Sequence, residues 1–268
     1  MAQGQAEIDR RNAAFWDELC GTGLATQLGI TEPSPENLAR FDSAYMELYP
    51  YLEAYLPKPQ GEGERLLEIG LGYGTVSQIL AERGFDYHGL DIATGPVEMV
   101  RYRLRELGAS DPDDRVRAGS VLDLDHPDAS FDRVVTIGCL HHTGDLPRAV
   151  EQVRRVLRPG GSALVMVYNE RSFRRLRMAI GSRLRGRRTA DEEMRASYDA
   201  NREGEAAPET VYTSRAEARR LFSGFSEVRI RSENFDPLEL PRLTIDRWRL
   251  LGWPAHLAGL DLYITATK

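Results

Sequence analysis

Short apolar runs alternate with stretches of helical periodicity between residues 64 and 168. The apolar runs are predicted strands at residues 65–69, 87–92, 116–119, 132–137 and 162–168. The intervening segments with helical periodicity are predicted helices at residues 75–83, 97–107 and 145–157. Because strands that alternate with helices pair in parallel, this pattern predicts an α/β fold with a doubly wound sheet.

Three segments flank this predicted core. Residues 1–60 have helical patterns and are predicted to form an N-terminal helical lid on an α/β domain at 61–268. Residues 169–212 are polar, arginine-rich and then acidic, and are predicted to be a cap insertion after the fifth strand. A further helix at 215–222 and strands at 226–231 and 261–267 bring the mostly parallel sheet to seven strands. The insertion would lie at the carboxyl edge of the sheet, where open α/β sheets bind ligands.

Composition narrows the class of protein. The 268 residues are 41% hydrophobic and 28% charged, which is typical of a globular chain and not of a disordered one. Two cysteines, Cys20 and Cys139, exclude a disulfide scaffold, and no Cys/His spacing predicts a metal site. We expect neither a signal peptide nor a membrane span, because the first residues are charged and no apolar run approaches about 18 residues. The predicted location is the cytoplasm.

The charge is unevenly distributed. The net charge is −6, and Lys58 and Lys268 are the only lysines among 35 basic residues, which indicates a GC-rich bacterial genome. Residues 171–188 hold eight arginines and no acidic residue. Because the rest of the chain is acidic, we expect no general binding of nucleic acid, and any recognition of anions must be local.

A glycine-rich loop follows the first predicted strand. Its glycines are Gly70, Gly72 and Gly74. They allow a tight turn and a close approach of the backbone to a ligand. Asp91 ends the next strand, where a carboxylate can bind ribose hydroxyls, although it could instead cap a helix. Dinucleotide sites usually have a third glycine where this chain has Thr75, which argues against a nicotinamide oxidoreductase.

The segment from Glu68 to Gly74 resembles the first motif of class I S-adenosylmethionine-dependent methyltransferases. Further segments match that family in order and spacing, at 118–124, 130–135 and 155–161. The resemblance covers about residues 64–168 and implies a Rossmann-like sheet, S-adenosylmethionine as the methyl donor and S-adenosylhomocysteine as the product. The implied cofactor-binding residues are Glu68, Gly70, Gly72, Gly74, Asp91, Ile92, Ser120, Val121 and Gly138.

The chain departs from this family after the third predicted strand. The family usually has Gly-Asp there, and the carboxylate accepts a hydrogen bond from the adenine amino group, whereas this chain has Gly119-Ser120. The Ser120 hydroxyl or the Asp123 carboxylate could accept that bond instead. We expect the backbone amide of Val121 to contribute more than either side chain.

Two adjacent histidines follow the fourth predicted strand, in the segment from Gly138 to His142. Methyl transfer from a sulfonium is an in-line displacement, so the protein positions the acceptor, excludes water and in some cases removes a proton. His142 and His141 are candidate catalytic bases, because histidine titrates near neutral pH. A purely structural role for both histidines remains open.

Aromatic residues ahead of the core are candidate substrate contacts. Trp16 lies in a segment that resembles the lead segment of some uncharacterised bacterial methyltransferases, and Tyr45 and Tyr49 lie in a tyrosine-rich stretch. A cation–π contact between an aromatic ring and the sulfonium would stabilise the bound cofactor by about 0.5–2 kcal/mol. Alternatively, these side chains form a satellite core.

The arginine-rich segment is predicted to be an amphipathic helix over residues 171–188. Its predicted apolar face consists of Phe173, Leu176, Ile180 and Leu184. Three interpretations remain open: a solvated cap that packs this face on the core, a cap that recognises an anionic substrate, and a helix on a membrane surface. In the second interpretation, Arg171 and Arg174 bind the substrate.

The sequence as a whole predicts an enzyme that methylates a small molecule. Oxygen is favoured over nitrogen and carbon as the acceptor atom, because a histidine base suits a hydroxyl, and an anionic or specialised metabolite is one candidate acceptor. No Asn-Pro-Pro-Tyr-type motif follows the fourth strand, which argues against methylation of a base or amide nitrogen. The alternative is a non-catalytic scaffold protein that binds S-adenosylmethionine. The sequence leaves the oligomeric state open.

Overall fold

The computed structural model describes residues 2–19, 22–186, 189–240 and 243–268. Cys20 and Gly21 of the aromatic lead segment lie outside the described residues, as do Arg187 and Arg188 of the arginine-rich segment.

A seven-stranded sheet and a separate two-stranded hairpin contain all the strands of the described chain. The strands are β1 (Arg65–Ile69), β2 (Asp86–Asp91), β3 (Val116–Ala118), β4 (Phe131–Ile137), β5 (Leu157–Tyr168), β6 (Glu227–Glu233), β7 (Leu238–Leu240), β8 (Leu243–Ile245) and β9 (Asp261–Thr267). The large sheet has the order β3-β2-β1-β4-β5-β9-β6, and β9 runs antiparallel to both of its neighbours. The predicted mostly parallel, seven-stranded sheet is thereby confirmed.

Helices cover both faces of this sheet. They are α1 (Ala2–Leu19), α2 (Thr22–Gln27), α3 (Pro35–Leu48), α4 (Thr75–Glu82), α5 (Thr94–Glu106), α6 (Pro112–Arg115), α7 (Leu146–Val156), α8 (Phe173–Leu184), α9 (Asp191–Ala196), α10 (Arg215–Leu221), α11 (Arg247–Leu250) and α12 (Trp253–Ala258). Successive strand residues point to opposite faces, so Leu67 packs with the α7 side and Leu66 with the α4 and α5 side.

An ion pair between the buried Arg103 and the half-buried Asp42 joins α3 to the sheet domain. The Arg103 side chain is fully buried and donates to both carboxylate oxygens of Asp42, at 2.7 and 2.8 Å. It also donates to the Gln78 amide oxygen and to the Tyr73 carbonyl. Gly74 has φ +81°, and a Cβ there would lie 2.8 Å from Cδ of Arg103. The third glycine of the loop therefore leaves room for this arginine.

The arginine-rich segment forms α8, which is shorter than the predicted helix. The buried side of α8 is polar, because Ser172, which caps it, and Ser182 within it are each only 1% exposed. Three apolar residues predicted to share one face, Leu176, Ile180 and Leu184, are 56%, 49% and 84% exposed. The interpretation in which this face packs on the core is therefore wrong for these three residues.

Candidate functional site

A cavity lies at the carboxyl ends of β1, β2, β3 and β4. Its volume is about 890 Å³ with the open mouth included, and α1 forms one wall. Nine of the residues predicted from sequence line it: Trp16, Gly70, Gly72, Asp91, Ile92, Ser120, Val121, Gly138 and His142. The sequence analysis missed other lining residues, among them Asp9, Asn12 and Thr143. Two of these, Asp9 and Asn12, lie on α1, the first helix of the predicted N-terminal lid, and no local pattern shows that these two polar residues face the cavity.

The glycine loop presents bare backbone to this cavity. Gly70 has φ +81°, and a Cβ at this position would lie 2.4 Å from the Cβ of Cys139. Gly72 has φ +53°, and no heavy atom lies within 4 Å of the position where its Cβ would stand. A side chain at Gly72 would therefore project into open space beside the loop, which a ligand needs for a close approach to the backbone.

Asp91 holds the loop and also lines the cavity. Its carboxylate accepts hydrogen bonds from the backbone N–H of Leu71 at 2.7 Å and of Ala93 at 2.9 Å. Burial raises the pKa of Asp91, and these backbone hydrogen bonds partly offset that effect. Since each carboxylate oxygen can accept more than one bond, the group can tie the loop and still accept from a ribose hydroxyl.

We expect Asp91→Ala to weaken binding of S-adenosylhomocysteine by about 1.5–3 kcal/mol, the range for a hydrogen bond to a charged group. Titration calorimetry measures this change, and thermal unfolding shows whether the variant is folded. Asp123→Ala is the matched control, because Asp123 is exposed and lies outside the cavity lining. Unchanged affinity in folded Asp91→Ala would remove Asp91 from the ribose role.

The segment after β3 presents a backbone amide and a hydroxyl that already accepts one hydrogen bond. The Ser120 hydroxyl accepts from the Leu122 N–H at 3.3 Å and caps the short 3₁₀ turn at residues 121–123. Val121 lines the cavity with Ser120, whereas Asp123 does not. The geometry therefore favours Ser120 and Val121 over Asp123 as the neighbours of an adenine ring.

Glu68 lies one layer below the cavity. Its carboxylate accepts a hydrogen bond from the Tyr87 hydroxyl at 2.6 Å. Burial raises the pKa of Glu68 to about 7. Glu68 and Gly74 do not line the cavity, so both lie on the side of the loop that faces away from it.

His142 stands in the cavity wall, and its ring is oriented by contacts on two sides. Its Nδ1 lies 2.7 Å from the Glu209 carbonyl oxygen, which can only accept, so Nδ1 carries a proton. Its Nε2 lies 3.6 Å from a carboxylate oxygen of Asp199 and has no hydrogen-bond partner among the described residues. The Trp16 ring packs 4.7 Å from the His142 ring. Burial lowers the pKa of His142, which favours the neutral imidazole.

Asp199 and Tyr168 complete this arrangement, and the sequence analysis missed both. The Tyr168 hydroxyl donates to Asp199 at 2.9 Å, on the carboxylate oxygen that faces His142. Burial raises the pKa of Asp199. Asp199 lies in the polar insertion, where acidic residues are common and no motif distinguishes this one. Only the return of the insertion to the loop after β4 places it beside His142.

His141 has different surroundings. It is fully buried, does not line the cavity, and neither ring nitrogen has a hydrogen-bond partner in the described parts of the chain. Its ring packs 4.1 Å from the Tyr168 ring, and burial lowers its pKa well below the usual value. Its position is that of a packing residue beneath His142.

The predicted substrate contacts outside α1 do not reach the cavity. Tyr45 and Tyr49 pack against each other with ring centroids 4.9 Å apart, and burial raises the pKa of Tyr49 to about 12. Arg174 donates to Asp236 at 2.7 Å and lies 4.5 Å from the Tyr198 ring centroid, so its charge is already paired. Arg171 is exposed. Neither arginine lines the cavity.

The described residues contain no group of three or more His, Cys, Asp or Glu side chains that could hold a metal ion.

The cavity and its surroundings contain a glycine loop, a buried carboxylate and a histidine–aspartate pair. Its apolar lining includes Leu90, Ile92 and Val121. This combination of groups fits an adenosine-containing sulfonium cofactor.

Residues 67–165 match a family model described as a methyltransferase domain. This segment is a class I methyltransferase domain. S-adenosylmethionine is the methyl donor in this family, and the matched segment contains both the glycine loop and His142.

Curated relatives of this methyltransferase domain include enzymes with different acceptors. The ubiquinone biosynthesis O-methyltransferase of Paracidovorax citrulli is 30% identical over 122 residues, which are 45% of this chain and 50% of that protein. The 27-O-demethylrifamycin SV methyltransferase of Amycolatopsis mediterranei is 37% identical over 106 residues, 38% of each chain. The chain thus spans half or less of the length of these two relatives.

Solved structures share the fold of this methyltransferase domain and its flanks. A methyltransferase of Thermotoga maritima, described as a possible histamine N-methyltransferase, has a TM-score of 0.51 at 20% identity, covering 85% of this chain and 98% of that one. Phosphoethanolamine N-methyltransferase 2 of Haemonchus contortus has a TM-score of 0.53 at 19% identity, covering 83% and 52%. At these identities the likeness shows the fold alone.

Proposed function

We propose that this protein is an S-adenosylmethionine-dependent methyltransferase that acts on a small-molecule acceptor. The observation that carries the proposal is the position of the His142–Asp199 pair, because His142 lies in the wall of the same cavity as the glycine loop and Asp91. A protein that only held the cofactor would need the loop and the acid, but no poised proton acceptor beside them.

The cofactor supplies an electrophilic methyl group, and the residues of this chain do the remaining work. The backbone of Gly70 and Gly72 and the Asp91 carboxylate would hold the cofactor, and Trp16 on α1 would help to exclude water from it. Since burial lowers the pKa of His142, the ring is neutral and can take up a proton near neutral pH.

The His142–Asp199 pair would hold the proton that leaves the acceptor. Nδ1–H is bonded to the Glu209 carbonyl, so the nitrogen that can accept a proton is Nε2, and it faces Asp199. The Asp199 side chain is 17% exposed and that of His142 only 4%, so Asp199 is the more accessible member of the pair. Tyr168 fixes the carboxylate by its hydrogen bond.

This arrangement favours a hydroxyl acceptor over an amine, because a hydroxyl must lose its proton to become a good nucleophile near neutral pH. The relatives named above include an enzyme described as an O-methyltransferase, and the similar structures include N-methyltransferases. An anionic acceptor gains no support from Arg174, whose charge is paired with Asp236.

The test combines binding and turnover. We expect calorimetry to show binding of S-adenosylhomocysteine and none of NADH, and a panel of hydroxyl and amine metabolites to yield a product heavier by one methyl group. Tight binding of S-adenosylhomocysteine with no methylated product from any acceptor, including extracts of the source organism, would favour the scaffold alternative. Binding of NADH instead would overturn the cofactor assignment.

A further inference from the structure

Exposed apolar side chains are concentrated in two segments of this protein. Seven of the nine large hydrophobic residues that the described chain exposes lie in α8 or between β8 and the end of α12. They are Leu176, Ile180, Leu184, Leu243, Trp248, Trp253 and Leu257. Trp248 and Trp253 are 63% and 75% exposed. We call these seven residues, with the arginines between them, the basic–apolar patch.

The orientation of α8 makes this exposure unusual. A helix with one apolar face normally turns it towards the protein, because burial stabilises by about 25 cal/mol per Å² of apolar area. Here the buried side carries Ser172, whose hydroxyl bonds to Tyr198, and Ser182, whose hydroxyl bonds to Thr189. Contiguous apolar exposure on a folded protein usually marks a binding surface.

The two segments adjoin each other at the first turn of α8. The Phe173 ring stacks on the Phe235 ring with centroids 5.4 Å apart. Phe235 belongs to a small apolar cluster with Leu250 of α11 and Ala255 of α12. This buried cluster therefore joins the first turn of α8 to α11 and α12 and places the two segments next to each other.

The charge of the patch is mostly positive, and the exposed Asp246 between Leu243 and Trp248 is the one acidic residue in its two segments. Arg177 and Arg183 are exposed on α8, Arg185 is exposed directly after it, and residues 171–188 contain no acidic residue. Residues 247–260 also lack acidic residues and include the exposed Arg249. In the described ranges, no carboxylate pairs with Arg177 or Arg183. The rest of the chain is acidic, so this patch would be attracted to an anionic surface and the remainder repelled from it.

We propose that the basic–apolar patch binds the surface of an anionic lipid bilayer. Exposed tryptophans, leucines on a helix and interspersed arginines are the combination that lies at the boundary between headgroups and acyl chains. No helix in the described ranges is long and apolar enough to cross a membrane, so the contact is peripheral. The proposal does not depend on methyl transfer.

Co-sedimentation with vesicles tests the proposal directly. We expect the full-length protein to sediment with phosphatidylglycerol–phosphatidylcholine vesicles, to bind pure phosphatidylcholine vesicles about tenfold more weakly, and to dissociate as salt is raised. The tryptophan emission should shift to the blue on binding, and the W248F/W253F variant should lose most of that shift. Absence of binding to the anionic vesicles would overturn the proposal.

Surface variants localise the contact. We expect the L176S/I180S/L184S variant and the R177Q/R183Q variant each to bind anionic vesicles about tenfold more weakly than the wild type. The matched controls are L107S, which removes an exposed leucine elsewhere, and R219Q/R220Q, which removes two exposed arginines from α10. Equal losses in patch and control variants would overturn the proposal. The proposal would also be overturned if the wild type were a dimer that the L176S/I180S/L184S substitutions dissociate without changing vesicle binding. The exposed face of α8 would then be a self-association surface.

Discussion

We expect Asp199→Asn and His142→Gln each to lower kcat by roughly 10²–10⁴, the usual contribution of general acid–base catalysis, with little change in cofactor affinity. His142 is buried, Asp199 is half-buried, and Nε2 of His142 faces the Asp199 carboxylate at 3.6 Å. Removing the carboxylate takes away the charge that would stabilise a protonated ring. Removing the imidazole takes away the proton acceptor of a residue that lines the cofactor cavity. Single-turnover kinetics and calorimetry measure the two quantities separately.

The pH dependence of kcat/KM distinguishes catalysis from structural support. The pKa of His142 is lowered from its ordinary value of about 6.5 by burial, and the negative charge of Asp199 opposes that shift. Activity requires the unprotonated ring, so kcat/KM should fall as the pH decreases through this lowered pKa. In Asp199→Asn the opposing charge is gone, and the acidic limb should move to still lower pH.

His141→Phe is the control for this pair. It removes two buried nitrogens that have no partner in the described residues and keeps a ring to pack on Tyr168. We expect kcat to change little. If His141→Phe were inactive while His142→Gln kept full activity, the proton acceptor would be assigned to the wrong histidine. Full activity in both His142→Gln and Asp199→Asn would contradict the proposed role of the pair.

The second large effect concerns stability. We expect Arg103→Met to lower the free energy of unfolding by about 3–5 kcal/mol, because it leaves the Asp42 carboxylate without its buried partner. The Arg103 guanidinium is fully buried and also bonds to Gln78 and to the Tyr73 carbonyl. Urea denaturation followed by circular dichroism measures the change.

An exposed ion pair provides the comparison. Arg105 and Asp113 are 48% and 63% exposed, so Arg105→Met should cost less than about 1 kcal/mol. The double variant Arg103→Met/Asp42→Leu should recover part of the loss, because no unpaired charge remains at the junction of α3 and α5. A loss in Arg103→Met no larger than in Arg105→Met would show that the Arg103–Asp42 pair does not hold α3 in place.

Local patterns in the sequence were enough to predict the sheet and the cofactor loop. Strands β1 and β9 lie at residues 65–69 and 261–267, as predicted. An apolar run between turn residues can be recognised in a sequence without knowing which strand it pairs with. Gly70 and Gly72 were found because a tight turn against a ligand needs glycine wherever it occurs. Asp91 was found for a similar reason, since its place at the end of β2 follows from the strand pattern.

Tertiary structure alone decided the neighbourhood of His142 and the exposed face of α8. Asp199 meets His142 because the insertion folds back onto the loop after β4, where the Val211 N–H donates to the His141 carbonyl at 2.8 Å. Such a contact depends on two segments that share no periodicity. The rotation of α8 is set by partly buried polar contacts, above all the Ser172–Tyr198 and Arg174–Asp236 bonds. A sequence shows that a helix has an apolar face, but the polar partners on other elements determine which way that face points.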